Sequence, residues 1–214
     1  TMTGADQRTP LADLVRLADA GAEIALLYTF DSDKRHRYPS LGWLTEAVLE
    51  LGHRAAVHVC GVRARAQLFF GDLDGLIAPC HRVQVNGRVN AVELIGLCAR
   101  HPSQVVVTQH TPENGWLIPA DAPNHALLVD GSGGRGISPA EWVRPSTSKR
   151  VGFAGGLNAG NLAVELPKIA AVASGGWWID VESGLRDESD WFSLEKANAA
   201  VDEFDSWKKT LVTE

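Results

Sequence analysis

The chain has 214 residues, of which 45% are hydrophobic, and its formal net charge at pH 7 is −6. This length suffices for one buried core, so we expect a single domain over residues 1–214. The negative charge, with lysine and arginine scattered along the chain, argues against a nucleic-acid partner, and no run approaches the ~20 apolar residues that a membrane span requires.

The cysteine content bears on the cellular compartment. Cys60, Cys80 and Cys98 occur without a Cys-x-x-Cys pair, which predicts neither a zinc knuckle nor a disulfide framework. The N-terminal residues are polar and do not resemble the apolar part of a signal peptide. We therefore expect a protein of the reducing cytoplasm that does not contact a membrane.

Helix and strand patterns alternate from the start of the chain to its end. Apolar residues at helical spacing begin at Pro10, and short apolar runs that end in polar or glycine residues follow each helix. The predicted helices cover residues 10–20, 40–51, 63–70, 91–99, 162–173 and 194–210. The predicted strands cover residues 22–30, 54–60, 82–86, 104–110, 125–130, 150–154 and 177–182. Residues 111–124 contain three internal prolines and a glycine, which predicts an extended loop.

The last three predicted strands each run into a glycine-rich turn, within residues 125–136, 151–158 and 177–184. Backbone N–H groups approach a phosphate closely where no Cβ intervenes, and a following helix N-terminus adds partial positive charge. Such turns at the carboxyl ends of parallel strands are typical of a phosphate site. The alternative is tight packing between strand and helix, which glycine also serves.

Polar residues alternate with apolar ones in two central strands. His58 and Cys60 share one face of their strand, and Arg82, Gln84 and Asn86 share one face of the next. Strands buried on both faces are normally apolar throughout, so these inward polar residues indicate either a ligand cavity or an interior hydrogen-bond network.

Several motifs are specific enough to compare with a known family. They are Ala20-Gly21-Ala22-Glu23 followed by His36-Arg37-Tyr38-Pro39-Ser40, Val83-Gln84-Val85-Asn86-Gly87, Val129-Asp130 followed by Gly133-Gly134-Arg135-Gly136, Phe153-Ala154-Gly155-Gly156-Leu157, and Asp180-Val181-Glu182-Ser183-Gly184-Leu185-Arg186. Together they resemble the phosphoribosylanthranilate isomerases of tryptophan biosynthesis, and the similarity covers nearly everything after Leu11. The resemblance implies an α/β fold of the (β/α)8 TIM-barrel type and an aminoaldose to aminoketose (Amadori) isomerisation of a phosphoribosyl-amine.

The resemblance also implies roles for individual residues. Asp130 matches the general acid, and Arg37 matches the arginine that binds the anthranilate carboxylate. The substrate-binding residues would further include Gln84, Asn86 and Asp180. The phosphate-binding residues would be Gly134, Gly136, Gly155, Gly156, Ser183 and Gly184. From the residues alone, Asp130 could instead cap its glycine loop or pair with Arg135, and Arg37 could belong to a solvated basic loop.

The front of the chain departs from the family. In the family, the opening strand carries Lys-Ile-Cys-Gly, whose cysteine is the general base, and nothing before Leu11 in this chain resembles that motif. Asn86 also stands where the family has a histidine. Cys60, in His58-Val59-Cys60-Gly61, imitates the motif and is a candidate for a relocated base, beside the alternative of an ordinary buried thiol. With the first strand absent or replaced, seven evident strands would leave two edges for residues 1–9 or a subunit partner to cover, so a homodimer is possible.

Three functions remain open at this point. The first is the isomerase, and the second is an altered barrel that binds a phosphorylated small molecule without isomerase activity. The third, a phosphate-dependent lyase or aldolase, needs a lysine at a strand end, whereas Lys149 precedes its strand. The spacings of His58, His81 and His110 match no metal-ligand pattern, so we expect neither a metal nor a cofactor.

Overall fold

The computed structural model describes residues 1–30, 36–111, 115, 117–119, 121–133 and 135–212. Eight strands form one parallel sheet, in which each strand pairs with its neighbours in sequence. The strands are β1 (Met2–Thr3), β2 (Ile24–Thr29), β3 (Ala55–Cys60), β4 (Arg82–Asn86), β5 (Val105–His110), β6 (His125–Asp130), β7 (Val151–Ala154) and β8 (Trp177–Asp180). The helices are α1 (Leu11–Asp19), α2 (Leu41–Leu51), α3 (Val62–Phe70), α4 (Asp74–Ile77), α5 (Ala91–Arg100), α6 (Ala159–Val172) and α7 (Leu194–Val212).

The first strand is present, and it brings the two ends of the sheet together. β1 pairs with β2 through Met2 and Ile24, and Met2 also forms a parallel bridge to Val181, just after β8. The Thr3 N–H donates to the Val181 carbonyl at 2.8 Å. The (β/α)8 barrel expected from the sequence is therefore confirmed, and the first strand is not missing but only two residues long. Residues near the N-terminus thus cover both edges, so the barrel needs no subunit partner for closure.

The seven strands predicted from the sequence all occur, with boundaries that shift by a residue or two. The four-residue helix α4 was not predicted, because one turn is too short for apolar periodicity to reveal it. Between β5 and β6 the described residues form no helix, which agrees with the loop expected there. None of the helices in the described part of the chain is long and apolar enough to cross a membrane.

The barrel interior is filled at its N-terminal half by Trp178. The ring lies so close to Gly152 that a Cβ built on that glycine would be 2.1 Å from it. The Arg82 guanidinium stacks on the same ring, with its Cζ 4.1 Å from the indole centroid. An aromatic ring and an arginine thus occupy this half of the interior, whereas the carboxyl ends of the strands are where barrel enzymes carry their ligand sites.

Candidate active site

A cavity of about 130 Å³ lies at the carboxyl ends of the strands. Strand alternation places polar residues there, because the inward positions near the end of each strand meet at this edge of the barrel. The lining comprises Arg37, His58, Gln84, Asn86, Gln109, Leu128, Asp130, Ser132, Arg135, Gly136, Ala154, Gly155, Gly156, Leu157, Asp180, Glu182 and Ser183.

The inward polar residues of β3 and β4 form a network as well as a cavity wall. The Gln84 amide nitrogen lies 3.3 Å from His58 Nδ1 and donates to Asn86 Oδ1 at 2.9 Å. Asn86 in turn contacts Cys60 Sγ at 3.2 Å. Burial lowers the pKa of His58 to about 3, so its ring is neutral. His58, Gln84 and Asn86 therefore line the cavity and at the same time belong to an interior hydrogen-bond network.

Asp130 ends β6 and presents its carboxylate to the cavity. Gln109 Nε2 donates to Oδ2 at 3.0 Å, while the backbone N–H and the hydroxyl of Ser132 both donate to Oδ1, at 3.1 and 2.7 Å. Asp130 is 4% exposed. The carboxylate also holds the first turn of its loop, so the capping role considered from the sequence and a place in the cavity coexist.

Asp180 ends β8 and is the carboxylate that faces the first strand. Its Oδ1 accepts a hydrogen bond from the hydroxyl of Thr3, which ends β1. Burial raises the pKa of Asp180 to about 6. This carboxyl group therefore changes protonation state close to neutral pH, which is the range that suits acid–base chemistry.

Arg37 is bound to two carboxylates at the mouth of the cavity. Its Nε and Nη2 donate to the two oxygens of Asp190 at 2.6 and 2.8 Å, and its Nη1 donates to Glu182 Oε1 at 3.0 Å. The hydrogen bond with Asp190 is the main reason that the Arg37 pKa is raised and that the Asp190 pKa is lowered. Burial raises the pKa of Glu182. Any substrate carboxylate at Arg37 would have to compete with these two groups.

A tight turn positions Asp190 for this contact. Asp187 Oδ1 accepts from the backbone N–H groups of Ser189 and Trp191, at 2.8 and 2.9 Å. Asp190 itself has a φ of 63°, a left-handed conformation that aspartate tolerates better than most residues. The turn therefore fixes the carboxylate that holds Arg37.

The glycine loops after β6, β7 and β8 pack directly against one another. A Cβ on Gly156, whose φ is +60°, would lie 2.3 Å from the backbone nitrogen of Ser138, and one on Gly184 would lie 2.1 Å from the Leu157 carbonyl oxygen. In the short 3₁₀ turn Ser183–Leu185, the first N–H to bond is that of Leu185, which donates to the Glu182 carbonyl at 3.0 Å. These glycines therefore allow the loops to pack closely. The backbone N–H groups of Ser183 and Gly184 come before the first hydrogen-bonded N–H of their turn, that of Leu185.

Cys60 does not line the cavity, although it ends β3 at the same edge of the barrel. Burial raises the pKa of its thiol to about 12, so the thiolate that a base requires is scarce at neutral pH. The position and the pKa of Cys60 argue against a relocated base, while its partial exposure departs from the ordinary buried thiol of the alternative interpretation.

The structure brings most of the predicted site residues together. Arg37, Gln84, Asn86, Asp130, Gly136, Gly155, Gly156, Asp180 and Ser183 all line the cavity. Cys60 and Gly184 lie outside the lining, and Gly134 lies outside the described residues. Among the described residues, no group of three His, Cys, Asp or Glu side chains could hold a metal ion.

Sequence reasoning missed several residues of the cavity wall and its supports, above all Gln109, Glu182, Asp190 and Thr3. For two of them the sequence contains a pattern that could have identified them. Glu182 follows Asp180 by two positions, and Gln109 interrupts an otherwise apolar inward face of β5. Thr3 lies in a strand too short for an alternation pattern. Asp190 lies in an acidic turn that nothing in the sequence links to Arg37.

Several solved phosphoribosylanthranilate isomerases have an architecture similar to that of this chain. A phosphoribosyl anthranilate isomerase from Thermus thermophilus superposes with a TM-score of 0.66 at 20% identity, over 96% of this chain and 98% of that one. TrpF from Jonesia denitrificans gives 0.66 at 17% identity, over 94% of each chain. The chain shares the fold of phosphoribosylanthranilate isomerases. The resemblance read from the motifs is thereby confirmed at the level of the fold.

A third phosphoribosylanthranilate isomerase was solved in complex with reduced 1-(o-carboxyphenylamino)-1-deoxyribulose 5-phosphate. It has a TM-score of 0.61 and 16% identity, over 96% of this chain and 97% of that one. No family model matches the chain, and no curated protein matches it. The agreement with phosphoribosylanthranilate isomerases thus extends over the whole barrel while few residues are identical.

Proposed function

We propose that this barrel isomerises a phosphoribosyl-amine from the aminoaldose to the aminoketose form. The observation that supports it is that a carboxylate at a strand end, Asp130, and the glycine loops at Gly155, Gly156 and Ser183 line one cavity. Such a cavity can hold a phosphate at one end and offer a proton at the other. The solved isomerase that holds a carboxyphenylamino-deoxyribulose phosphate has the same fold, which favours a ligand of this class.

The phosphate would bind at the loops after β7 and β8. Gly155 and Gly156 line the cavity, and the side-chain amides of Asn158 and Asn161 fix their loop by donating to the Gly156 carbonyl, at 3.1 and 2.9 Å. The amides of Ser183 and Gly184 at the start of the next turn supply further N–H donors. Gly136, which also lines the cavity, would complete the site from the loop after β6.

Asp130 would act as the general acid. A proton delivered to the ring oxygen of the sugar breaks the bond from that oxygen to C1, and the nitrogen lone pair forms a Schiff base. The hydrogen bonds from Gln109 and Ser132 hold the carboxyl group in place for this step. Loss of a proton from C2 and tautomerisation then give the aminoketose, with no net gain or loss of protons.

Turnover of phosphoribosylanthranilate tests the proposal. We expect measurable isomerisation by the wild-type chain and a loss of about 100-fold or more in Asp130→Asn, the range that a general acid contributes. Asp202→Asn, an exposed change of the same kind on α7, serves as the matched control and should keep full activity. Absence of turnover at high enzyme concentration would exclude this substrate.

A second candidate is a barrel that binds a phosphorylated small molecule without isomerising it. Two observations favour it: the first strand ends in Thr3 where the resemblance calls for a cysteine, and the donors of Arg37 contact Asp190 and Glu182. Thermal stabilisation by ribose 5-phosphate and by inorganic phosphate, without turnover, would support this candidate. Gly184→Ala should abolish the stabilisation, whereas Gly42→Ala, in a helix with open space around it, should not. A lack of any shift would contradict both candidates.

A further inference from the structure

Three carboxylates line the cavity, and they differ in what they contact. Asp130 accepts hydrogen bonds from Gln109 and Ser132, and Glu182 is paired with the Arg37 guanidinium at 3.0 Å. The contact of Asp180 is the neutral hydroxyl of Thr3, bonded to Oδ1, and no described residue donates a hydrogen bond to its Oδ2. Asp180 is therefore the carboxylate of this group with an oxygen available and no ion pair.

We propose that Asp180 is the general base of this site, and that it removes the proton from C2 of the open-chain substrate. The inference rests on the proposed isomerisation. Asp180 ends β8 beside the first strand, where Thr3 ends β1, and it lines the cavity together with Asp130. A base on this side of the barrel and an acid on β6 lie on different strand ends, as a reaction that protonates one ring atom and deprotonates another requires.

The proton affinity of each neighbouring group agrees with this assignment. Burial raises the pKa of Asp180 to about 6, so it is ionised at neutral pH and still accepts a proton. The ring of His58, whose pKa is lowered to about 3 by burial, is a poor base. Cys60, whose pKa is raised to about 12 by burial, remains a thiol.

The step balances without any further reactant. The C2–H bond breaks and its proton passes to Asp180 Oδ2, while the electron pair forms a C1–C2 double bond and the C=N π electrons return to nitrogen. The resulting enolamine loses its hydroxyl proton and gains a proton at C1, which gives the ketone. Asp180 then releases its proton to solvent and is ready for another cycle.

Several charged groups act on Asp180 and set where it titrates. They are Glu182 on the loop after β8, Arg82 on β4, Glu23 before β2, and the amino group of Thr1. The Thr3 hydroxyl stabilises the ionised form. Removing that hydroxyl should therefore raise the pKa of Asp180, while the other charges stay as they are.

The first experiment measures kcat for phosphoribosylanthranilate in Asp180→Asn, with Asp202→Asn as the matched control. We expect a loss of about 100-fold or more in Asp180→Asn alone. Thermal stabilisation by ribose 5-phosphate should remain in both variants, which shows that the barrel is folded and still binds. A kcat in Asp180→Asn within about threefold of wild type would overturn the inference.

The second experiment follows kcat against pH and decides the matter even where Asp180→Asn does not fold. In the wild type, kcat should rise with pH around 6. Thr3→Val should move this rise to higher pH, and Thr3→Ser, which keeps the hydroxyl, should leave it in place. Coincident profiles for Thr3→Val and wild type would refute the role of Asp180.

Wild-type protein that shows no turnover refutes the proposed isomerisation and this inference with it, whereas turnover that survives in Asp180→Asn refutes only the inference.

Discussion

The guanidinium of Arg37 holds the carboxylate of Asp190 by two hydrogen bonds, Nε to Oδ2 at 2.6 Å and Nη2 to Oδ1 at 2.8 Å. These residues are 153 positions apart in the chain. The contact joins the loop after β2 to the acidic turn after β8. It uses the edge of the guanidinium that would otherwise form a two-point contact with a carboxylate of the substrate.

Asp190→Asn should therefore strengthen binding of a substrate that carries a carboxylate. Asparagine tolerates the φ of 63° at this position, and it removes one negative charge that competes for Arg37. Because both partners are partly exposed, we expect a modest effect, about a two- to fivefold lower KM for phosphoribosylanthranilate. Glu188→Gln, an equal charge change at an exposed position of the same turn, is the control. Equal KM values in the two variants would show that Asp190 does not compete with the substrate.

The three cysteines should react slowly with thiol reagents in the folded protein. Burial raises the pKa of Cys60 and Cys80 to about 12 and that of Cys98 to about 11, so little thiolate exists at pH 8. Alkylation followed by mass spectrometry should show slow modification of all three in the native state and rapid modification after unfolding. Rapid native labelling of Cys60 that ribose 5-phosphate suppresses would revive its role as a base.

Gly152→Ala should destabilise the barrel. The added Cβ would lie 2.1 to 2.5 Å from atoms of the Trp178 ring, which also contacts the Arg82 guanidinium, so the strand or the ring must move. We expect a loss of about 1–3 kcal/mol in the free energy of unfolding. Gly96→Ala on α5 has open space around it and should add about 0.5–1 kcal/mol through helix propensity. Urea unfolding measures both, and equal stabilities for Gly152→Ala and wild type would mean that Trp178 does not fill the interior.

Stability should fall as the pH is lowered below 6.5. Burial lowers the pKa of His125 and of His58 from 6.5 to about 3, so between these values the unfolded chain takes up protons that the folded chain does not. Asp180 acts in the opposite sense between 3.8 and about 6, because its pKa is raised on folding. Burial also raises the pKa of Glu182 and lowers the pKa values of His81 and His110. Four histidines therefore outweigh two carboxyl groups, so the melting temperature should decrease from pH 6.5 towards pH 4.

His125→Gln isolates one of these contributions. The glutamine can still contact the Thr108 hydroxyl, which lies 2.8 Å from His125 Nε2, but it cannot titrate. The melting temperature should therefore depend less steeply on pH in the variant than in the wild type, while the two curves run parallel above pH 6.5. An unchanged slope below pH 6.5 would mean that His125 is protonated in the folded state.

The sequence predicted the strands and much of the cavity because both depend on local patterns. Apolar runs that end in glycine located β6, β7 and β8, and alternation placed Gln84 and Asn86 on the inner face of β4. A polar residue at an inward strand end is visible without knowledge of its neighbours in space. The motif comparison then assigned Asp130 and Asp180 to the same site.

What the sequence did not reveal depends on contacts between distant parts of the chain. β1 has two residues, fewer than any alternation pattern needs, and its assignment requires the pairing with Ile24 and Val181. The environment of Arg37 depends on an acidic turn far along the chain. Cys60 matched a motif by its letters, whereas its burial, which decides its reactivity, follows from the packing of neighbouring side chains.

The first strand links the closure of the barrel to the pKa of Asp180. Its two residues join β2 to the residue that follows β8, and the second of them, Thr3, also donates the hydrogen bond to Asp180. Fraying of these two residues would open the barrel and in the same event withdraw the donor that stabilises the ionised carboxylate. A ligand that requires Asp180 to be charged would consequently favour the closed barrel. Conditions that separate β1 from its neighbours would raise the pKa of Asp180. The two residues Met2 and Thr3 thus determine both the closure of the barrel and the proton affinity of Asp180.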